Sequence, residues 1–504
     1  MVDPEGARPS RLEASALSVL VDHLTGTGVE VAAPHGVDGR VTGMSLDSRR
    51  VRAGDLYAAI PGAQVHGIAH LPAALAAGAA AVLTDERGAS DVPADVPVIV
   101  VPRPRAVLGT VAAEIYGRPA ESLRMIGITG TQGKTTTTRL LESGLTGSGV
   151  PAAVIGTVGT RVLGTEVASA LTTPEAPDLH GLLAMMVERG VEACAMEVSS
   201  HALVQGRVDG LVFDVAVFLN LGRDHLDFHR DMEDYFEAKA SLFTPARARS
   251  GLVDIDGGWG RRLQERAGIP VRTLSAAGND ADWRAFDIDL GPTGSRFHIT
   301  GPDDTEVDAG CPIAGAFNVA NTLAAVAAAS SAGYDAAAVA TSIAGSEGVP
   351  GRLERIDEGQ DFEVVVDFAH KPDAIEAALA TLRSLTDGRL IVVLGAGGDR
   401  DAGKRPLMGR IAAGGADVLV VTDDNPRSED PAGIRAAILA GTGDADATVL
   451  EIGDRRAAIA EAVSLARAGD VVLVAGKGHE TGQEIAGVVH PFDDREVVRE
   501  VLRR

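Results

Sequence analysis

The sequence predicts an α/β protein of three domains, and three observations carry that expectation. At 504 residues the chain is too long for one hydrophobic core, since domains run to ~100–200 residues. Through most of its length, short apolar runs alternate with helical segments, the pattern of parallel sheets wrapped by helices. One of these runs, RMIGIT, passes directly into the glycine-bearing turn GTQGKTTTT at residues 130–138.

Taken in order, residues 1–122 read as a mixed α/β domain of short strands and Ala-rich helices, as in GDLYAAI followed by HLPAALAAGAAAVLTD. Residues 123–350 read as a phosphate-loop-type parallel-sheet domain. Its strands are RMIGIT, AAVIGTV, ACAMEVS and DVAVFLNL, and its helices include DLHGLLAMMVERG and DYFEAKASLF. A Pro/Gly-rich segment, SEGVPGRLERID, then introduces residues 351–504. There FEVVVDFA, RLIVVLGAGG, DVLVVTDD, ATVLEIG and DVVLVAGKG alternate with helices such as DAIEAALATLRSL, as in a doubly wound, Rossmann-like domain.

Composition excludes several classes. Lys and Arg number 46 against 70 Asp and Glu, a net charge of -24, which argues against general nucleic-acid or anionic-membrane binding. It leaves room for a small polyanion held by backbone amides and a few cations. Two cysteines, Cys194 and Cys311, supply neither a disulfide framework nor a four-cysteine zinc site. No run of about 18 apolar residues is free of charges or breakers, so no membrane span is expected. The start, MVDPEGARPSRLEASALSVL, is unlike a secretory signal, and a cytoplasmic protein is expected.

A strand, a glycine loop and a helix direct unpaired amides and the positive helix end at one spot, where a triphosphate can sit. Gly130 and Gly133 permit close approach, Lys134 reaches the β- and γ-phosphates, and the Thr135 hydroxyl suits magnesium. The strict G-x-x-x-x-G-K-[ST] pattern fails at one position, which is Ile128 here. A triphosphate needs a hard divalent cation. ACAMEVSSHAL ends in Glu197 with His201 following, and NLGRDHLDFH brings Asp224 and His225. These are expected on two adjacent strand ends, with Glu197 and His225 as metal-site candidates. Periodicity alone puts Lys239 on the solvated face of an amphipathic helix.

GTQGKTTTT, LTTPEAPDL, MEVSSHAL, NLGRDHLDFH, YFEAKASLF, GAFNVANTLAA, GRLERI, VDFAHKPDAI, GGDRDAGKRPLMG, DNPRSEDP and GKGHETGQ occur in one order across nearly the whole chain. In that order they resemble the Mur ligase family, ATP-dependent amide-forming enzymes of peptidoglycan precursor synthesis. The resemblance implies that Gly130, Thr131, Gln132, Gly133, Lys134, Thr135 and Thr136 bind ATP, with Asn318 near the adenine. It implies that Leu46, Ser48, Gln64, Thr172, Thr173, Ser199, Gln205 and Arg207 contact a UDP-muramoyl dipeptide, which makes residues 1–122 the UDP-binding domain. Lys134, Glu197, His225 and Lys239 become the catalytic set, with Lys239 carbamylated. Thr135, Glu197, His225 and that carbamate then serve magnesium.

For the third domain, the resemblance implies an amino-acid site of Arg400, Asp424, Asn425, Pro426, Arg427, Gly476 and Glu480. The arginine of DNPR marks members that add diaminopimelate. A planar guanidinium can hold that substrate's distal carboxylate in two parallel bonds, and lysine has no such carboxylate. A monomer is expected. Departures from the family pattern are Gln132, LNLGRDH, Phe368, Lys371 and Ala396, none of which removes a phosphate or metal contact. Three alternatives stand beside this reading: a lysine-adding ligase, a folylpolyglutamate synthetase, and a non-catalytic sensor of UDP-sugar peptides.

Overall fold

The computed structural model describes residues 8–167, 171–443 and 445–503. The chain divides into two compact units, one formed by residues up to 275 with 279–283 and 324–339, the other by 276–278, 284–323 and 340 onward.

The first unit opens with a two-stranded antiparallel pair, β1 (Ser15–Ala16) and β2 (Arg40–Val41). A four-stranded parallel sheet follows, made of β3 (Gly43–Ser45), β4 (Asp55–Ala58), β5 (Ala81–Thr84) and β6 (Val98–Val100). Both faces of this sheet are covered, which is why its strands are apolar throughout. Leu17, Leu20, Leu24, Val111 and Ile115 pack on one side, and Leu71, Ala74 and Val92 on the other.

The larger sheet of this unit holds β7 (Arg124–Thr129), β8 (Ala152–Gly156), β9 (Gly159–Val162), β10 (Thr165–Val167), β11 (Ala193–Glu197), β12 (Phe213–Phe218), β13 (Ala248–Asp254) and β14 (Val271–Ser275). Its order is β10-β9-β8-β11-β7-β12-β13-β14. The six strands β8, β11, β7, β12, β13 and β14 are parallel, and β9 and β10 extend them as an antiparallel hairpin edge. This order corrects one expectation. The strands ending in Glu197 and before Asp224 are not neighbours, because β7 lies between them. The two polar ends therefore flank the glycine loop on either side.

The second unit contains an antiparallel meander, β15 (Trp283–Gly291), β16 (Gly294–Gly301) and β17 (Thr305–Cys311), which the sequence reading did not anticipate. Its main sheet comprises β18 (Glu354–Arg355), β19 (Glu363–Asp367), β20 (Leu390–Leu394), β21 (Val418–Val421), β22 (Thr448–Glu451) and β23 (Val471–Ala475), in the order β18-β19-β23-β20-β21-β22. All but β18 run parallel. A hairpin, β24 (Gly482–Ile485) and β25 (Val488–Pro491), follows. In β20, β21 and β23 every residue is buried, so polar function is confined to the loops at their carboxyl ends, where open α/β sheets bind ligands.

Candidate active site

In the first unit the loop after β7 is clasped from the neighbouring strand end. Asn220 Oδ1 accepts from the Gln132 amide at 2.9 Å, and Asn220 Nδ2 donates to the Gln132 carbonyl at 3.2 Å. Gly133, at φ 86°, turns the chain into the helix Lys134–Gly147, and no side chain caps that helix. Its first amides are thus not consumed by a cap. Lys134 Nζ donates to the carbonyls of Gly130 (2.7 Å) and Thr131 (3.2 Å), which holds the ammonium at the loop. Thr135 and Thr136 are buried on the first helical turn.

Lys239 is not on a solvated face. Its side chain is 1% exposed, and Nζ donates to Gly130 O at 2.9 Å and lies 3.4 Å from Thr129 Oγ1 and 4.7 Å from the Tyr235 ring centroid. The helix Met232–Ala240 packs under the phosphate loop, and the i,i+4 spacing of Tyr235 and Lys239 aims both inward. Thr131 Oγ1 lies 3.1 Å from the Tyr235 hydroxyl, which ties that helix to the loop.

Glu197, buried at the end of β11, accepts from the Thr157 amide at 2.7 Å and the Thr157 hydroxyl at 3.1 Å. A methyl group on Gly156 would fall 2.3 Å from its Oε1, so glycine there makes room for the carboxylate. His225 adopts φ 54°, a left-handed conformation stabilised by its own amide donating to Asp224 Oδ1 at 2.9 Å. Its ring stands 4.8 Å from His201, which in turn stacks on Phe228 at 4.0 Å. Burial, then the nearby His229, depresses the His201 pKa.

The residues nominated for the dipeptide form a second cluster. Thr157 Oγ1 meets Thr172 Oγ1 at 3.0 Å. Thr173 donates to the Glu197 carbonyl at 2.8 Å and lies 3.5 Å from Ser199 Oγ. Arg207 donates to Thr173 O (3.1 Å) and Gln205 Oε1 (2.7 Å) and pairs with Glu175 at 3.0 Å. Leu46 and Ser48 follow β3, and Gln64 lies on the exposed turn after β4, at the same sheet edge. The structure draws no direct bond from these three to Thr173, although Arg50 reaches Asp178 at 3.1 Å.

In the second unit the loops after β20, β21 and β23 converge. The Gly398 amide donates to Asn425 O at 2.9 Å, and Arg427 Nη1 donates to Gly398 O at 2.6 Å. A methyl group on Gly398 would sit 1.9 Å from Pro426 O, so this crossing requires glycine. Arg427, at φ 53°, is held by backbone bonds with Glu484 and Ala486 and has Glu484 Oε2 3.4 Å from Nε. Asn425 Nδ2 donates to Glu480 Oε2 at 2.8 Å. Asp424 packs against Gly476, whose φ of 120° no side chain would share comfortably. Arg400 is exposed on the loop after β20, beside Asp399. Asn318 belongs to this unit; buried, it donates to Ala314 O at 2.8 Å and accepts from Asn321 at 3.0 Å.

Sequence reasoning missed Asn220, Thr157, Tyr235 and Lys477. Asn220 and Lys477 lie inside segments quoted for their neighbours, and Tyr235 sits one turn before Lys239. Thr157 carries no local signal, since its role depends on a strand brought alongside by the fold.

The fold and this loop define an α/β protein with a glycine-bearing strand–loop–helix turn and a second, doubly wound sheet. Three family profiles match in order: "Mur ligase family, catalytic domain" over residues 40–116, "Mur ligase middle domain" over 128–329, and "Mur ligase, glutamate ligase domain" over 351–478. The chain belongs to the Mur ligase family. It is 54% identical to the UDP-N-acetylmuramoyl-L-alanyl-D-glutamate--2,6-diaminopimelate ligase of Streptomyces coelicolor, over 100% of this chain and 99% of that one. It is 48% identical to the ligase of the same name from Corynebacterium glutamicum, over 96% of each. A solved structure bearing that name aligns with TM-score 0.68 at 34% identity, covering 97% of this chain and 99% of the other.

Proposed function

We propose that the protein joins diaminopimelate to the D-glutamate γ-carboxylate of UDP-N-acetylmuramoyl-L-alanyl-D-glutamate, using ATP, in cytoplasmic peptidoglycan precursor synthesis. The full-length likeness to ligases named for this reaction carries the reading. No helix among the described residues is long and apolar enough to cross a membrane, and we take the working form as a monomer of three domains, 1–122, 123–350 and 351–504.

The chemistry starts from a poor acyl donor. The γ-carboxylate oxygen attacks the γ-phosphorus of ATP, forming an acyl phosphate and releasing ADP. The amine of diaminopimelate then attacks the acyl carbon, the C–O bond to phosphate breaks, the nitrogen loses a proton, and an amide remains. Both reactants of the first step are anions, so the protein's task is positioning and neutralisation. Lys134, anchored on the loop carbonyls, supplies the cation, and the loop amides hold the nucleotide phosphates. Thr172, Thr173, Ser199, Gln205 and Arg207 orient the dipeptide, with Leu46, Ser48 and Gln64 on its uridine side. Arg427, Arg400, Asp424, Asn425, Pro426, Gly476 and Glu480 receive the amino acid.

Among the described residues no group of three His, Cys, Asp or Glu side chains is placed to hold a metal. Magnesium asks for fewer, since one or two protein oxygens plus substrate phosphates suffice. The buried Glu197 carboxylate and Thr135 hydroxyl fit that chemistry. Lys239 fits it once carbamylated, as an anionic oxygen ligand, and His225 offers a nitrogen. Bound there, the ion would neutralise phosphate charge.

Phosphate release measured with each substrate omitted in turn tests the reading. Release requiring ATP, the dipeptide and diaminopimelate together is expected, with lysine a poor replacement. Release without the amino acid, or equal rates with lysine, would overturn it. The same assay run with meso- and LL-diaminopimelate assigns the stereoisomer.

A further inference from the structure

The amino-acid pocket contains a side chain whose burial its sequence position does not explain. Lys477 follows β23, is 0% exposed, and lies between two glycines with positive φ, Gly476 (120°) and Gly478 (53°). A methyl group on Gly476 would press on Asp424 Oδ2 at 2.8 Å, and one on Gly478 would meet the Phe368 backbone and Gly351 O at 2.8 Å. The loop is thus wedged from both sides, and the lysine between them points inward. Its Nζ donates to Asn425 Oδ1 at 3.0 Å and to Glu480 Oε2 at 3.1 Å, with Asp424 Oδ1 at 3.6 Å.

We propose that Lys477 is a positioning residue for the incoming amino acid, acting by fixing the Asn425 amide and the Glu480 carboxylate in one arrangement. The inference rests on the diaminopimelate-ligase reading above. Three observations carry it. First, Asn425 Oδ1 accepts from both Lys477 Nζ and the Glu484 amide, at 3.0 Å each. The amide therefore has one orientation, and its Nδ2 faces Glu480. Second, the bonds from Lys477 and Asn425 both fall on Glu480 Oε2, which leaves Oε1 to receive an ammonium. Third, Asp424 and Glu480 bring two negative charges and Lys477 one positive, so the trio carries one net charge, matched to a single ammonium. Buried ions separated from their partners are costly, and removing Lys477 would leave two crowded carboxylates that repel each other.

A purely structural ion pair already exists nearby. Arg455 and Asp494 are both fully buried and joined by bonds of 2.6 and 2.8 Å, and Arg455 also braces the Ala475 carbonyl at the end of β23. The hydrogen bonds of Arg455 go to Asp494 and to backbone carbonyls, and Asp424 and Glu480 act on it through charge alone. Lys477 differs in that both its hydrogen-bond partners are groups assigned to the amino acid.

The test is a double-mutant cycle on the full-length enzyme, with Lys477→Gln, Glu480→Gln and the double variant. The Michaelis constants for diaminopimelate, ATP and the dipeptide are read for each. Lys477→Gln keeps a donor near Asn425 but removes the charge. It is expected to raise KM for diaminopimelate by about 10- to 100-fold, in line with loss of one hydrogen bond to a charged group, with KM for ATP unchanged. In the Glu480→Gln background the same change should move KM for diaminopimelate by less than threefold, since the residue acts through Glu480. Additive effects, an equal rise in KM for ATP, or an unchanged KM for diaminopimelate would overturn the proposal. If Lys477→Gln does not fold, restored folding in the charge-balanced double variant supports the charge argument, and failure of both assigns Lys477 to folding and ends it. Wild-type enzyme inactive with diaminopimelate would instead sink the ligase reading itself.

Discussion

Each of the two units keeps a buried lysine at the carboxyl edge of a parallel sheet, and the two are held differently. Lys239 lies under the phosphate loop, with the Gly130 carbonyl and Thr129 hydroxyl as acceptors and the Tyr235 ring against its ammonium. Lys477 lies in the pocket proposed for the amino acid, between Glu480, Asp424 and the Asn425 amide. An ammonium paired with carboxylates is best kept as an ammonium. A carbonyl oxygen and a ring face likewise suit an ammonium, and the carbamylation proposed for Lys239 would exchange that donor for an anionic oxygen ligand. The difference teaches that burial alone does not state a lysine's role, since two equally buried ammonium groups serve different loops.

The largest expected effect falls on a third lysine, Lys134, which sharpens the comparison because it is the one meant to follow the reacting phosphate. Lys134→Ala should lower kcat by about 10²–10³-fold or more, as removal of a principal transition-state charge does. Near-normal turnover would mean that the loop does not hold the γ-phosphate. Lys239→Ala should also be inactive, and a small carboxylic acid added to the assay should restore part of the rate. An alanine variant as fast as wild type would remove the carbamate from the account. On the amino-acid side, Arg427→Lys trades a planar fork for a point charge. Selectivity for diaminopimelate over lysine, read as a ratio of kcat/KM values, should fall by about 10- to 100-fold. An unaltered ratio would break the assignment of that arginine to the distal carboxylate.

A separate effect is on stability, and each unit contributes one histidine to it. Burial pulls the His180 pKa down to about 4 in the first unit and that of His370 to about 3 in the second, where Lys371 and Lys404 add to the burial effect. Both rings are neutral in the folded protein at pH 6.5, so below that pH the unfolded chain takes up protons that the folded one refuses. Stability should therefore fall as pH drops from about 6.5 to 4, by ~1.4 kcal/mol per pH unit for each histidine. Denaturant titrations of wild type and His180→Asn across that range check the sign, with a shallower slope expected in the variant.

Much of this architecture was legible because apolar runs of strand length survive in a sheet buried on both faces. RMIGIT, ACAME, LIVVL and VVLVA announce themselves in that way. The glycine loop was legible because Gly133 must adopt a positive φ. Sheet order was not, since β7 is inserted between β11 and β12 by long-range pairing that leaves no local trace. Lys239 misled a reading by periodicity because its helix is covered by the loop, a tertiary fact. Lys371 is likewise clearer in the fold, where its charge, with that of Lys404, bears on the buried His370 ring. Thr157 and Asn220 act through partners 40 and 88 residues distant, beyond the reach of any short motif.

The central claim is that ATP converts the dipeptide's carboxylate into an acyl phosphate before the amine arrives. Dipeptide labelled with heavy oxygen in the D-glutamate γ-carboxylate tests it most directly, with the released phosphate examined by mass. One labelled oxygen per phosphate is the predicted result; phosphate free of label, released at the rate at which amide forms, would contradict the account.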